Sequence, residues 1–146
     1  MDTMSNNKKT IFFHAVLQDL APTEAEFDTI NNVSNYEDNS LDEIIIQDLL
    51  DYIPREDAAS VLRSLVSKLK KEGSIHIQGM DFNQLGAAIS FDMIDSNILK
   101  SIMYLNKRSI HEMSEIITYL KDLNLKFKIK KYINIIEYYI EAYKHE

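Results

Sequence analysis

Four polar residues, Gln47, Asp48, Asp51 and Tyr52, crowd the end of a short apolar run, Ile44-Ile45-Ile46, in a chain of 146 residues. Three successive β-branched residues are too few for a helix and read as a buried parallel strand. In open α/β sheets ligands gather beyond the carboxyl ends of such strands, which makes these side chains the first candidates for a binding site. Asp81 stands at a second such tip, just after a strand ending at Gln78. A structural alternative exists for the aspartates: Asp48 and Asp51 also lead toward a following helix, whose N-terminus favours negative charge.

Other chemistries lack their residues. His111-Glu112 opens like the zinc motif His-Glu-x-x-His, but position 115 is Glu115, so the second ligand is absent and no metal is expected. His76 alternates with Ile75 and Ile77 and reads as a structural histidine, as does His14. There is no Gly-x-Ser-x-Gly elbow and no phosphate loop. With no cysteine, disulfides, thiolate metal sites and thiol nucleophiles are excluded. A net charge of −7 argues against binding a nucleic-acid backbone, which needs clustered Lys and Arg. Lys126-Phe-Lys-Ile-Lys-Lys131 is an exception in charge, yet its alternation places lysines on the wet face of a strand. Tyr132, Tyr138, Tyr139 and Tyr143 read as ordinary sheet packing. No apolar run approaches the ~20 residues of a membrane span, and the amino-terminal stretch lacks a signal-peptide cleavage site, so a cytoplasmic protein is expected.

The elements that must position these residues follow from periodicity. Residues 1–9 are polar and are expected to form a disordered tail ahead of a single domain at 10–146. Thr10 to Val16 reads as the first strand, Phe27 to Val33 as a weaker one, and Asp42 to Gln47 as the central strand. Ala58, Val61, Leu62, Leu65, Val66 and Leu69 recur at spacings of three and four and predict a helix, with Gly73 as its left-handed cap. The strand Ser74 to Gln78 completes a βαβ unit. Helices are predicted at Leu85 to Ile89 and Ile98 to Leu105, and another is opened by the capping box Ser109-Ile-His-Glu112. Two closing strands, Phe127 to Ile135 and Glu137 to Tyr143, make the sheet mixed, so the fold class is α/β with a Rossmann-like mixed sheet and flanking helices.

The stretch Glu37-Asp-Asn-Ser-Leu-Asp-Glu-Ile44 followed by Leu50-Asp-Tyr-Ile-Pro54 resembles the middle of class I S-adenosylmethionine-dependent methyltransferases, where an "EDNS-hDEI" turn and strand precede a "LEHIP" segment. Asp51 replaces the glutamate and Tyr52 the histidine. Lys68 to Ile77 is similar to the family's "LKPGG" helix end and fifth strand, with Lys71-Glu72 in place of Pro-Gly. Tyr119 to Phe127 is similar to its closing helix and strand.

That resemblance implies a truncated methyltransferase-like fold and a place for S-adenosylmethionine. Family members hold it with a glycine-rich turn after the first strand, an acid ending the second, and a polar contact after the third. Asp28 is the carboxylate nearest to the expected adenine contact, and Gln47, Asp48, Asp51, Tyr52 and Asp81 complete the candidate set. The glycines here, Gly73, Gly79 and Gly86, all follow the central strand, so the glycine-rich turn is missing. The expectation is a degenerate, non-catalytic interaction or assembly component without cofactor. The alternative is an active methyltransferase whose cofactor site is unusual or completed by a second polypeptide. Short methyltransferase-like proteins of this kind are similar to ones in phages and surface-polysaccharide gene clusters, which would imply a virion-associated role. The lost units would leave Thr10 to Val16, with at most one weak strand beyond it, as an apolar edge open to a second copy or another protein.

Overall fold

The computed structural model describes residues 8–15, 26–103 and 109–145. Val16, Leu105 and residues 1–7 of the expected amino-terminal tail lie outside them. Runs of alternating burial give the strands β1 (Thr10–His14), β2 (Glu26–Thr29), β3 (Leu41–Gln47), β4 (Leu69–Met80), β5 (Leu125–Tyr132) and β6 (Glu137–Lys144). They form one six-stranded sheet in the order β2-β1-β3-β4-β6-β5. The first four pair in parallel, and β6 runs antiparallel to both β4 and β5, giving the mixed α/β sheet expected.

Helices follow the apolar stripes: α1 (Ala58–Ser67), α2 (Phe82–Ser90), α3 (Ser96–Met103) and α4 (Met113–Asp122). Ala58, Leu62, Leu65 and Val66 of α1 are buried, and so are Ile116 and Leu120 of α4. They cover the sheet face carrying Ile11, Phe13, Ile44, Ile46, Ile75, Ile77, Tyr138 and Ile140. Each Leu or Ile buried there stabilises the fold by about 1.5–3 kcal/mol. The opposite face carries Phe12, Ile45, His76 and Glu141 side by side across four strands. No helix of the described residues is long and apolar enough to cross a membrane.

Three expectations are corrected. Gly73 is not a helix cap: α1 ends at Ser67, β4 starts at Leu69, and the left-handed residue is Glu72 at φ 68°. Leu41 pairs with Leu69 but Glu43 with Ser74, so the strand bulges between. Gly73 is needed inside that bulge because a Cβ would lie 2.8 Å from the Lys70 carbonyl oxygen and 3.1 Å from that of Leu41.

The capping box falls one turn later than predicted. Glu112 is the N-cap of α4 and exchanges hydrogen bonds with Glu115. Ser109 turns inward, its hydroxyl 2.9 Å from the Leu50 carbonyl and 2.8 Å from that of Ile53.

The first strand is not an open edge. β1 is hydrogen-bonded on both sides, because Glu26 and the first three residues of the weaker segment, Phe27 to Thr29, make β2 beyond it, while Ile30 to Val33 turn into a 3-10 segment. Phe13 is fully buried, so association through an exposed Thr10 to Val16 edge has no basis. The edges are short β2 and β5, whose Lys126, Lys128, Lys130 and Lys131 are exposed and guard it against pairing.

Candidate functional site

Beyond β3 the chain turns sharply. The Asp48 amide donates to the Gln78 carbonyl across 2.8 Å, prolonging the ladder, and Asp48 then takes φ 58°, a left-handed geometry that short polar residues tolerate. This starts a 3-10 turn, Leu49–Tyr52, which buries Leu49, Leu50 and Asp51. Gln47 thus stays exposed at the tip, Asp48 and Tyr52 are half-buried, and Asp51 is turned inward at 1% exposure. A second short turn, Arg55–Asp57, separates this segment from α1. Neither Asp48 nor Asp51 therefore sits in the first turn of that helix, which removes the helix-dipole explanation for them.

Asp28 is the third residue of β2, level with Phe13 of β1, so it stands at the end of the second strand rather than after a third. Its carboxylate is engaged by the chain itself. The Tyr36 hydroxyl donates to Oδ2 across 2.7 Å, while Asn32 Nδ2 and the Thr29 amide donate to Oδ1 across 2.7 and 2.8 Å. Burial alone would raise its pKa, but the donors from Asn32, Tyr36 and Thr29 outweigh it and hold the carboxyl below its ordinary range. Tyr36 is pushed up to about 12, by burial first and then by the bond and charge of Asp28. Its ring meets Phe13 edge-on at 5.5 Å, which fixes it on the core.

Asp81 is 1% exposed and ties two helices together. Oδ1 accepts from the Gln84 amide of α2 across 2.9 Å and Oδ2 from the Met113 amide of α4 across 2.7 Å. Both oxygens are thus committed to helix starts, where unpaired amides need acceptors.

Beneath the tip lies a group of buried polar side chains that sequence reasoning missed. Tyr138 is fully buried and packs under Gly79, its registered neighbour on β4. Its hydroxyl has no hydrogen-bond partner, and burial pushes its pKa well up, with the charges of Asp51, Asp48 and Asp81 adding to the effect. His111 is also fully buried, with Nε2 3.0 Å from the Ser109 hydroxyl and Nδ1 3.9 Å from Glu115, which in turn pairs with Arg55 at 2.8 Å. The available signal for Tyr138 was Gly79, which lies inside β4 because that strand runs on to Met80 rather than ending at Gln78, and a strand glycine marks a close approach by a neighbour.

His76 is satisfied, as expected. Nε2 lies 2.8 Å from Glu43 and Nδ1 2.6 Å from the Tyr139 hydroxyl, while Thr10 donates to Glu43 across 3.0 Å. This polar row borders a cleft of about 490 Å³ lined by Asp42, Glu43, Lys71 and Glu141, at the amino ends of the parallel strands and away from the candidate tip. Among the described residues no group of three His, Asp or Glu is placed to hold a metal ion.

The site that remains is narrow. Gln47 is exposed at the central tip with Asp48 half-buried beside it, Asp28 and Asp81 accept from internal donors, and Asp51 is buried. No family model matches the sequence, and no curated protein does. Solved structures do. The chain is similar to an S-adenosylmethionine-dependent methyltransferase from Archaeoglobus fulgidus, with TM-score 0.65 and 13% identity over 94% of this chain and 87% of that one. It is also similar to a complex of the Haloferax volcanii Trm112 methyltransferase activator with a methyltransferase, with TM-score 0.64, 8% identity, and coverage of 95% and 83%. A third similar structure is the magnesium protoporphyrin IX methyltransferase of Synechocystis with bound S-adenosylhomocysteine, with TM-score 0.57 and 16% identity. There the matched region is 82% of this chain and 51% of the other. The Rossmann-like, methyltransferase-like fold is thereby shown, at identities that speak for the fold alone.

Proposed function

We propose that this chain keeps the methyltransferase sheet without methyl-transfer chemistry and works as an interaction or assembly component. The observation that carries the reading is Asp28. It stands where related folds end their second strand with a cofactor-binding acid, but both its oxygens are satisfied by Tyr36, Asn32 and Thr29. Three donors fill most of the roughly four acceptor positions of that carboxylate, so a ligand hydroxyl would have to compete with charge-assisted bonds already made, which are roughly twice as strong as neutral ones. The end of β1 supports the same reading. It carries buried His14, and the chain has no glycine before Gly73, so the backbone cannot offer the close, Cβ-free approach that a phosphate-type or nucleoside turn uses. On this reading the residues present do not fit S-adenosylmethionine.

The second reading, an enzyme whose cofactor site is completed by another polypeptide, draws on the Haloferax complex, in which a methyltransferase of similar fold is held by an activator. Isothermal titration of the purified chain with S-adenosylmethionine and S-adenosylhomocysteine tests the proposal. The expected result is no saturable heat. Micromolar binding that is lost in Asp28→Ala would overturn it and restore the enzyme.

A further inference from the structure

His111 stands where several parts of the chain are tied together. Its carbonyl oxygen accepts from the amide of Phe82, the first residue of α2, across 2.9 Å, and its backbone is bridged to Asp81 just past β4. The Ser109 amide donates to the Asp51 carbonyl across 3.1 Å, and the Ser109 hydroxyl lies 2.9 and 2.8 Å from the carbonyl oxygens of Leu50 and Ile53. The Met113 amide, at the start of α4, donates to Asp81. One stretch, 109–113, thus holds the turn after β3 and the starts of α2 and α4 around a fully buried imidazole.

The hydrogens available fix the neutral form of that ring. Ser109 has a single hydroxyl hydrogen, and the two carbonyl oxygens beside it can only accept. Nε2, 3.0 Å from the same hydroxyl, is therefore the ring nitrogen that donates, which leaves the lone pair on Nδ1. Nδ1 has no hydrogen-bond partner, and the Glu115 carboxylate stands 3.9 Å away. A proton taken up there turns an acceptor into a donor that faces Glu115 across a gap too long for a hydrogen bond. Closing the gap draws Glu115 from the Arg55 guanidinium at 2.8 Å and the Glu112 amide at 3.2 Å, or turns the ring off Ser109. Leaving it open strands a buried charge without a partner.

We propose that proton uptake at His111 Nδ1 is an acid switch that opens this junction, releasing the start of α2 and the Leu49–Tyr52 turn while the sheet stays paired. The charged and titratable groups around the ring are Glu115 and Glu112 of α4, Arg55 ahead of α1, Asp51 after β3, Asp81 after β4 and Tyr138 of β6. Burial lowers the histidine pKa, so the neutral ring is the folded form near neutrality. α2 is the layer able to part first. It buries only Leu85 and Ala88, and the described side chains of α3 behind it, Asn97, Ile98, Lys100 and Ser101, are exposed. Segments with few buried apolar contacts open at lower free energy than core strands. The strand end that carries Gln47 and Asp48 is thereby placed under the control of pH.

Hydrogen exchange of backbone amides, followed by NMR over a pH series and divided by the intrinsic rate at each pH, reads the opening. In the wild type the Phe82 and Ser109 amides are expected to lose up to about tenfold in protection per pH unit, the slope of one proton, as pH falls from 6.5 toward the lowered folded value. Ile75 and Ile77 of β4 should keep theirs, and His111→Gln should show no such loss. In Arg55→Gln the loss should end at a higher pH and in Glu115→Gln run on to a lower one, because the first removes a charge that lowers the histidine and the second one that raises it. The glutamine at 115 keeps the acceptor that the capping box needs. Undiminished protection in acid overturns the proposal, and so does a loss that persists in His111→Gln. A loss that Ile75 and Ile77 share, or one whose range neither charge variant moves, overturns it as well.

Discussion

The Tyr36 hydroxyl donates to the Asp28 carboxylate across 2.7 Å, joining the residue that follows the 3-10 turn Ile30–Asn35 to the shortest strand of the sheet. The chain thereby closes the end of β2 with its own donor. Tyr36→Phe should cost about 1.5–3 kcal/mol, the usual net value of a hydrogen bond to a charged group, read by urea denaturation. Burial and Asp28 raise the phenol from 10.0 to about 12. A raised folded pKa means that this contribution is complete below 10 and lost as pH climbs toward about 12. Carbon-13 NMR of labelled tyrosine should show the Tyr36 titration moving down in Asp28→Asn. A Tyr36 resonance that titrates identically in both proteins would dismiss the contact.

The α1 stripe gives a second test. Leu65 is fully buried against the sheet, so Leu65→Ala should cost about 2–5 kcal/mol. A loss at the level of an ordinary surface change, below about 0.5 kcal/mol, would mean that the helix packs elsewhere.

Periodic elements were legible and local punctuation was less so. The α1 stripe, the β3 run and the closing hairpin of lysine-rich β5 were each expected as elements of the right type, although Leu69 belongs to β4 rather than α1 and β5 ends at Tyr132 rather than Ile135. Gly73 misled because a glycine after a helix usually caps it, whereas the crowding by Lys70 and Leu41 that explains it arises only when β4 pairs with β3. Ser109 misled for a similar reason, since its true acceptors, Leu50 and Ile53, are more than fifty residues away in sequence. The end of β3 lies at Gln47 as expected, whereas β4 runs two residues past the expected Gln78 to Met80. Spacing could not reveal that Asp81 Oδ2 and Asp28 Oδ2 are engaged as well, because their donors, the Met113 amide of α4 and the Tyr36 hydroxyl, are brought in by the folded chain.

His111 predicts acid sensitivity. Burial lowers its pKa from 6.5 and the charge of Arg55 lowers it further, against the opposing pull of Glu115 and the Leu50 carbonyl. The fold therefore holds the neutral imidazole. Its contribution is complete above 6.5 and is lost as pH falls toward the lowered folded value. Urea denaturation at about pH 7.5 and about pH 5.5 should show the wild type losing more stability than His111→Gln, which has no proton to take up. Equal losses in the two proteins would place the acid-sensitive group elsewhere.

Gly79 and Tyr138 supply the last prediction. A Cβ at position 79 would stand 2.7 Å from the Tyr138 hydroxyl oxygen and 3.0 Å from the ring carbon that bears it. The ring is enclosed on all sides and cannot swing away without disturbing the core. Gly79→Ala should therefore destabilise the protein by about 1–3 kcal/mol, the usual cost of overpacking. Tyr138→Phe should behave in the opposite sense. It removes a buried hydroxyl that has no hydrogen-bond partner, so its cost should be near zero or negative. It also removes the atom in closest conflict with an alanine at 79, so the double variant should recover part of the loss seen in Gly79→Ala. A double-mutant cycle by chemical denaturation measures this coupling. A Tyr138→Phe loss of a full hydrogen bond's worth would mean that the hydroxyl holds a partner, such as a buried water. Strict additivity in the cycle would mean that the strand accommodates the methyl group without touching the tyrosine.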